Sequence, residues 1–110
     1  MPVTATTVEP DRGPVLVTLE YQVDPADAGE FARAMSEVAR IRRRNGAVSW
    51  GLFNDAENPR KWLEFFIDES WVEHLRHHRR MTRADVDVEA TARRFQAAGV
   101  PPVVRHFLAP

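Results

Sequence analysis

The run RKWLEFFID, residues 60–68, limits the possible folds more than any other stretch. Extended, it sends Trp62, Glu64 and Phe66 to one side and Leu63, Phe65 and Ile67 to the other. Both sides are apolar, so both need cover, because a strand that faces water on one side alternates with polar residues. One face takes the chain's own helices. The other needs a partner, and a second copy of the chain packed sheet to sheet is the expected one.

The remaining elements follow from period and punctuation. VLVTLEYQV alternates Val15, Val17, Leu19 and Tyr21 against Leu16, Thr18, Glu20 and Gln22, which predicts a half-buried first strand. Asp24-Pro25 supplies an N-cap and a first-turn proline. The helix that follows carries Ala28, Phe31, Met35 and Val38 on one stripe and stops at Asn45-Gly46. Arg40, Arg42, Arg43 and Arg44 suit the negative end of its dipole and are expected on a solvated face. AVSWGLFND and RKWLEFFID, joined by the turn DAENPR, predict a hairpin. Ser70 and Glu73 have capping-box spacing and open a helix; Thr82 and Asp85 repeat that spacing more weakly, for a further helix or a bend in the same one. Val88, Ala92 and Phe95 point inward, Gly99 and Pro101-Pro102 stop the segment, and VVRHFLA is the last strand.

The order β-α-β-β-α-β, with the second helix broken, predicts an α+β, ferredoxin-like domain: a four-stranded antiparallel sheet with helices on one face, doubling into a dimeric α/β barrel. Residues 1–13 read as a flexible leader and 14–110 as a single domain. The 110-residue length and the 44% hydrophobic, 28% charged composition fit one soluble globular domain.

Several function classes are disfavoured. A net charge of −1 argues against a nucleic-acid partner, which needs a basic face. No apolar run approaches the roughly 20 residues of a membrane span, and MPVTATTVEPDRG lacks the basic flank and apolar core of a signal peptide. The absence of cysteine removes thiolate chemistry and disulfides and suits a cytoplasmic location. No Gly-rich phosphate loop is present.

The chemistry concentrates in ESWVEHLRHHRR, residues 69–80. On a helix from Trp71, positions 71, 74, 75 and 78 share a face, so His74 and His78 are expected toward the sheet and His77 in water. Three readings stand. A metal site has the i, i+4 pair but lacks the intervening Glu of H-E-x-x-H, a settled third ligand and distance from nearby arginines, so no metal is expected. A ligand pocket would set an imidazole over Glu64, Trp62 and Tyr21 as an acid–base pair in an apolar slot. A structural reading tucks the histidines under the helix with backbone partners.

GPVLVTLEYQVDPAD, GAVSWGLFND and above all WLEFFIDESWVEHLRHHRRMTRAD resemble the soluble C-terminal domain of a group of bacterial major-facilitator efflux proteins, over residues 8–109. That domain belongs to the dimeric α/β-barrel superfamily, with the antibiotic-biosynthesis monooxygenases. The resemblance implies a ferredoxin-like protomer that dimerises through its sheet, with a pocket between sheet and helices. By position Glu64 and Phe66 match the third-strand motif of the monooxygenase-type relatives and His78 their helical histidine. Relatives often carry tryptophan where Phe66 stands. The haem-degrading relatives use a first-strand asparagine where this chain offers Leu19 and Tyr21, which departs from the haem pattern; His78 alone keeps haem open as an alternative to no cofactor. The chain shows none of the efflux proteins' twelve spans, as a free-standing homologue or an excised domain would.

Two functions follow as expectations. One is a cofactor-independent monooxygenase, isomerase or cyclase acting on a small hydrophobic, natural-product-like molecule. Glu64 and His78 would be its catalytic pair, Tyr21, Trp50, Trp62, Phe66, Trp71 and His74 would bind substrate, and His74 or Arg79 would steady a developing anion. The other is a non-catalytic ligand-binding or transporter-associated interaction domain.

Overall fold

The structure, a computed structural model, describes residues 7–110. β1 (Val15–Gln22) leads through a 3-10 turn (Pro25–Asp27) into α1 (Ala28–Arg44). The hairpin β2 (Ser49–Asn54) and β3 (Lys61–Asp68) follows, then α2 (Trp71–Arg80), α3 (Arg83–Arg93) and β4 (Val103–Leu108). All pairings are antiparallel and the sheet order is β2-β3-β1-β4. This is the ferredoxin-like arrangement, with the second helix in two pieces.

The two-residue period of β1 fixes its faces. Val15, Val17, Leu19 and Tyr21 are buried under the helices. Register then aligns Trp62, Glu64, Phe66 and Asp68 of β3 beside them, with Trp50 and Leu52 of β2 and Val104, His106 and Leu108 of β4. Phe31, Met35 and Val38 of α1 close the core from above. Leu16, Leu63, Phe65, Ile67, Phe53 and Phe107 lie on the opposite face. Nothing among the described residues covers it; Phe53 and Phe107 are 59% and 48% exposed. The Phe53 and Phe65 rings stack there at 6.0 Å. Gly51 makes room for them, since a Cβ at that position would stand 2.3 Å from the Phe65 ring.

The caps differ from expectation. Asp24 accepts from Ala26 N at 3.0 Å and caps the 3-10 turn, with α1 starting after that turn, at Ala28. Ser70 accepts from Glu73 N, but the Glu73 carboxylate turns to Arg76 and Arg80 instead of reaching back. The reciprocal box forms at Thr82 and Asp85, the weaker signal. Met81, extended at φ −62° and ψ 123°, separates α2 from α3.

The second half of the expected leader is docked. Arg12 O accepts from Trp71 N at 2.7 Å and Pro10 O from Val72 N at 2.9 Å, while Val8 packs on the core. The first N–H groups of a helix have no intrahelical acceptor, and this backbone supplies two. A side chain at Gly13 would meet Glu69 O and Ser70 Cα at 2.7 Å, so glycine permits the approach. The first six residues of the expected leader lie outside the described residues.

Candidate functional site

Two buried polar centres lie between sheet and helices. The first is built on Glu64, which β3 places at 0% exposure. Arg42 reaches it from α1 with Nε at 3.0 Å and Nη2 at 3.4 Å. Trp50 donates its indole N–H at 2.9 Å and Tyr21 its hydroxyl at 3.0 Å. Arg42 also donates to Glu89 of α3 at 2.7 Å and lies over the Phe66 ring, 4.7 Å from its centroid. Four donors take up the acceptor capacity of the Glu64 carboxylate. Burial, then the Glu64 charge, pushes the Tyr21 phenol well above its usual range, so it stays a donor. Burial works against the Arg42 charge, but Glu64 and then Glu89 overcome it and hold the guanidinium protonated.

Arg42 departs from the expected solvated face. It is 6% exposed, because positions 31, 35, 38 and 42 form one helical stripe that ends over Glu64. The sequence carried that signal: Arg42 continues the spacing of Phe31, Met35 and Val38. Arg44 also turns back, pairing with the buried Asp85 of α3, whose carboxyl is held well below the usual range by Arg44, then by the Thr82 backbone.

The second centre is Asp68, at the end of β3. Its two oxygens bind His74 Nδ1 at 2.9 Å and His77 Nδ1 at 3.1 Å. All three side chains are buried, each at 2% exposure or less. Burial pushes the Asp68 carboxyl up, but the bonds to His74 and His77 outweigh it and leave a net downward shift. An ionised carboxylate only accepts, so each Nδ1 carries the hydrogen, and in the neutral ring Nε2 is the nitrogen that keeps its lone pair. Both Nε2 atoms are buried without a partner, as is Trp62 Nε1. His74 meets His78 and His106 at ring distances of 4.7 and 5.0 Å, and Trp71 at 5.4 Å. All four of the chain's histidines therefore gather here. His78 is exposed to water on one side and crowded by protein on the other. That partial burial, then His74 and His77, lowers its pKa to about 4. His106 is lowered as well, by burial and then by His74.

The phase of α2 corrects the sequence reading. Trp71, His74 and His77 are buried, Leu75 is half-buried, and His78 is on the wet side. His77 was expected in water and His78 over the sheet. Asp68 sets the phase by accepting from two imidazoles three residues apart. The expected pairing of Glu64 with a histidine does not form; its partners are Arg42, Tyr21 and Trp50. Tyr21 and Trp50 do join Glu64. Phe66 stands between the two centres, with Arg42 over its ring and His77 at 5.2 Å. Trp62 packs on Phe31 at 5.5 Å. These side chains pack against one another between sheet and helices. A concavity of about 420 Å³ lies elsewhere, along Val86, Glu89, Ala90, Arg93 and Arg94 of the α3 segment. Among the described residues no three His, Asp or Glu are grouped to hold a metal ion.

The sheet, its order and its three covering helices define an α+β, ferredoxin-like fold, which proteins assigned to the antibiotic-biosynthesis monooxygenases share. A protein of Caulobacter crescentus assigned to those monooxygenases superposes with a TM-score of 0.75 at 18% identity, over 92% of this chain and 93% of that one. One of Bordetella bronchiseptica, assigned likewise, gives 0.66 at 19%, over 87% and 96%. SnoaB, a cofactor-independent oxygenase from Streptomyces nogalater, gives 0.64 at 15%, over 87% and 90%. At these identities the likeness is one of fold. The chain belongs to the transmembrane secretion effector family, whose model matches residues 1–110. No helix among the described residues is long and apolar enough to cross a membrane. No curated protein matches the chain.

Proposed function

We propose that this protein binds a small hydrophobic molecule beneath α2 and acts on it without a cofactor, by proton transfer to His74. One observation carries the reading: Asp68 holds His74 through Nδ1 at 2.9 Å and leaves Nε2 buried and unpaired. An imidazole oriented by a carboxylate, with its second nitrogen bare, has the local chemistry of a general base. Oxygenation, isomerisation and cyclisation of natural-product-like molecules can share a first step, removal of a proton from an activated C–H or O–H. The proton would pass to Nε2 and the electron pair would stay on the substrate as an enolate or phenolate. Trp71 and Phe66 supply apolar contact, and His78 and His106 lead from His74 toward solvent. Glu64 serves as a fixed anion that holds Tyr21, Trp50 and Arg42 in place. The fold likeness to SnoaB supports working without a cofactor.

The quaternary part of the reading is a homodimer through the bare sheet face, in a cytoplasmic setting that suits a chain without cysteine. A second reading, a non-catalytic ligand-binding domain associated with a transporter, is favoured by the saturated Glu64 carboxylate and by the family description.

A thermal-shift screen of hydrophobic phenols and polyketide-like compounds, followed by turnover assays, separates them. A bound compound raises the melting temperature by mass action. The enzyme reading expects turnover of a binder, with His74→Gln reducing kcat about a hundredfold while binding persists. Binding without turnover favours the second reading, and turnover undiminished in His74→Gln contradicts the first.

A further inference from the structure

We propose that α2 is a proton-released lid: acidification of the histidine cluster detaches it from the sheet and opens the layer beneath it, while the strands stay folded. The inference goes beyond the proposed function, since the motion does not depend on what the protein acts on. Its basis is how α2 is attached. Of ten residues only Trp71, His74 and His77 are buried, and two of those three hang from the oxygens of one carboxylate, Asp68. Extended residues flank the helix on both sides, Ser70 at φ −155° and ψ 171° and Met81 at φ −62° and ψ 123°. Its other ties are at its ends: Trp71 N and Val72 N to the docked segment, and Arg80 to Asn45 O at 3.0 Å.

The charges around the cluster favour release on protonation. β3 contributes Asp68 and β4 contributes His106. α2 itself carries His78, Arg79 and Arg80, with Glu73 committed to Arg76 and Arg80. α1 brings Arg42 over the Phe66 ring that His77 also touches. In the docked segment Glu9, Asp11 and Arg12 are exposed, and the backbone carbonyls of residues 10 and 12 face α2. Asp85 at the start of α3 is engaged by Arg44 and Asn45. Among the described residues Asp68 is therefore the one carboxylate bonded to an imidazole of the cluster, and it holds two of the four, His74 and His77. A proton added to His78 or His106 must be carried by a ring packed against His74, at 4.7 and 5.0 Å, that protein partly shields from water. It also adds positive charge beside the other rings. Swinging out at Ser70 and Met81 gives each ring water.

The sign follows from linkage. His78 titrates at about 4 with α2 in place, and His106 is also lowered, against an ordinary value near 6.5. Between about 6.5 and 4 the open form binds more protons than the closed one, so falling pH favours opening.

Amide hydrogen exchange read by mass spectrometry at pH 7.5 and 5.0, corrected for intrinsic rates, tests this. Protection over residues 72–80 should fall at least tenfold at pH 5.0 while β1 and β3 keep theirs. In the double variant His78→Asn/His106→Asn the fall should shrink to less than threefold. Unchanged protection of α2 at pH 5.0 overturns the proposal. So does equal loss over α2, β1 and β3, which would be global unfolding, or a full tenfold fall in the double variant. Should that variant not fold, the wild-type profile decides alone.

Discussion

Replacing Arg42 with alanine is expected to lower the unfolding free energy by about 3–5 kcal/mol, the cost of removing one partner from a buried ion pair. The loss would leave the Glu64 carboxylate, 0% exposed, with only the Tyr21 hydroxyl and the Trp50 indole as donors. It would also strip Glu89 of its partner and open a void over Phe66. Domains of this size hold about 5–15 kcal/mol in total, so the variant should sit near the edge of folding. Urea unfolding of wild type and variant measures the difference. The double variant Arg42→Met/Glu64→Met should recover much of it, because removing both charges leaves neither unpaired. An Arg42→Ala protein within about 0.5 kcal/mol of wild type, the range of ordinary surface changes, would mean that the pair is wet in solution.

Phe65→Asp is expected to abolish self-association while leaving the protomer folded. Phe65 stacks on Phe53 in the middle of an apolar face that the described helices leave bare. The proposed dimer would bury that face against its copy, placing the aspartate at the centre of the interface, where a truncated or charged anchor costs most. Light scattering should give twice the 12.6 kDa chain mass for wild type and the single mass for the variant, with unchanged far-ultraviolet circular dichroism. The expected weakening is at least about a hundredfold in Kd. A wild-type chain that runs as a monomer at high micromolar concentration would leave Leu63, Phe65 and Ile67 without their expected cover.

The elements were legible because burial writes itself into period. Alternation in VLVTLEYQV and the apolar residues on both sides of RKWLEFFID fix faces and register, and the cap and stop residues mark where helices begin and end. The polar centres were legible only in part. Glu64 stood out as a charge amid aromatics, but its partner did not, because an arginine at a helix C-terminus has a sufficient reason to be in water. The stripe through Phe31, Met35, Val38 and Arg42 held the contrary signal. The histidine helix misled for a different reason. Trp71 and Leu75 constrain its phase loosely, and imidazole suits either face. The deciding contact is with Asp68, outside the helix and therefore outside its period. The docking of residues 8–12 likewise depends on backbone acceptors, which side-chain patterning does not record.

The imidazole nitrogens themselves give the most direct test. Long-range ¹H–¹⁵N correlation spectra at pH 7.5, assigned through His74→Gln and His77→Gln, report which ring nitrogen of each residue carries hydrogen. With both rings donating to Asp68, the spectra should show protonated Nδ1 and bare Nε2 for His74 and His77. Hydrogen on Nε2 with Nδ1 bare in His74 would contradict the assignment of that residue as base and remove the carboxylate anchor from beneath α2.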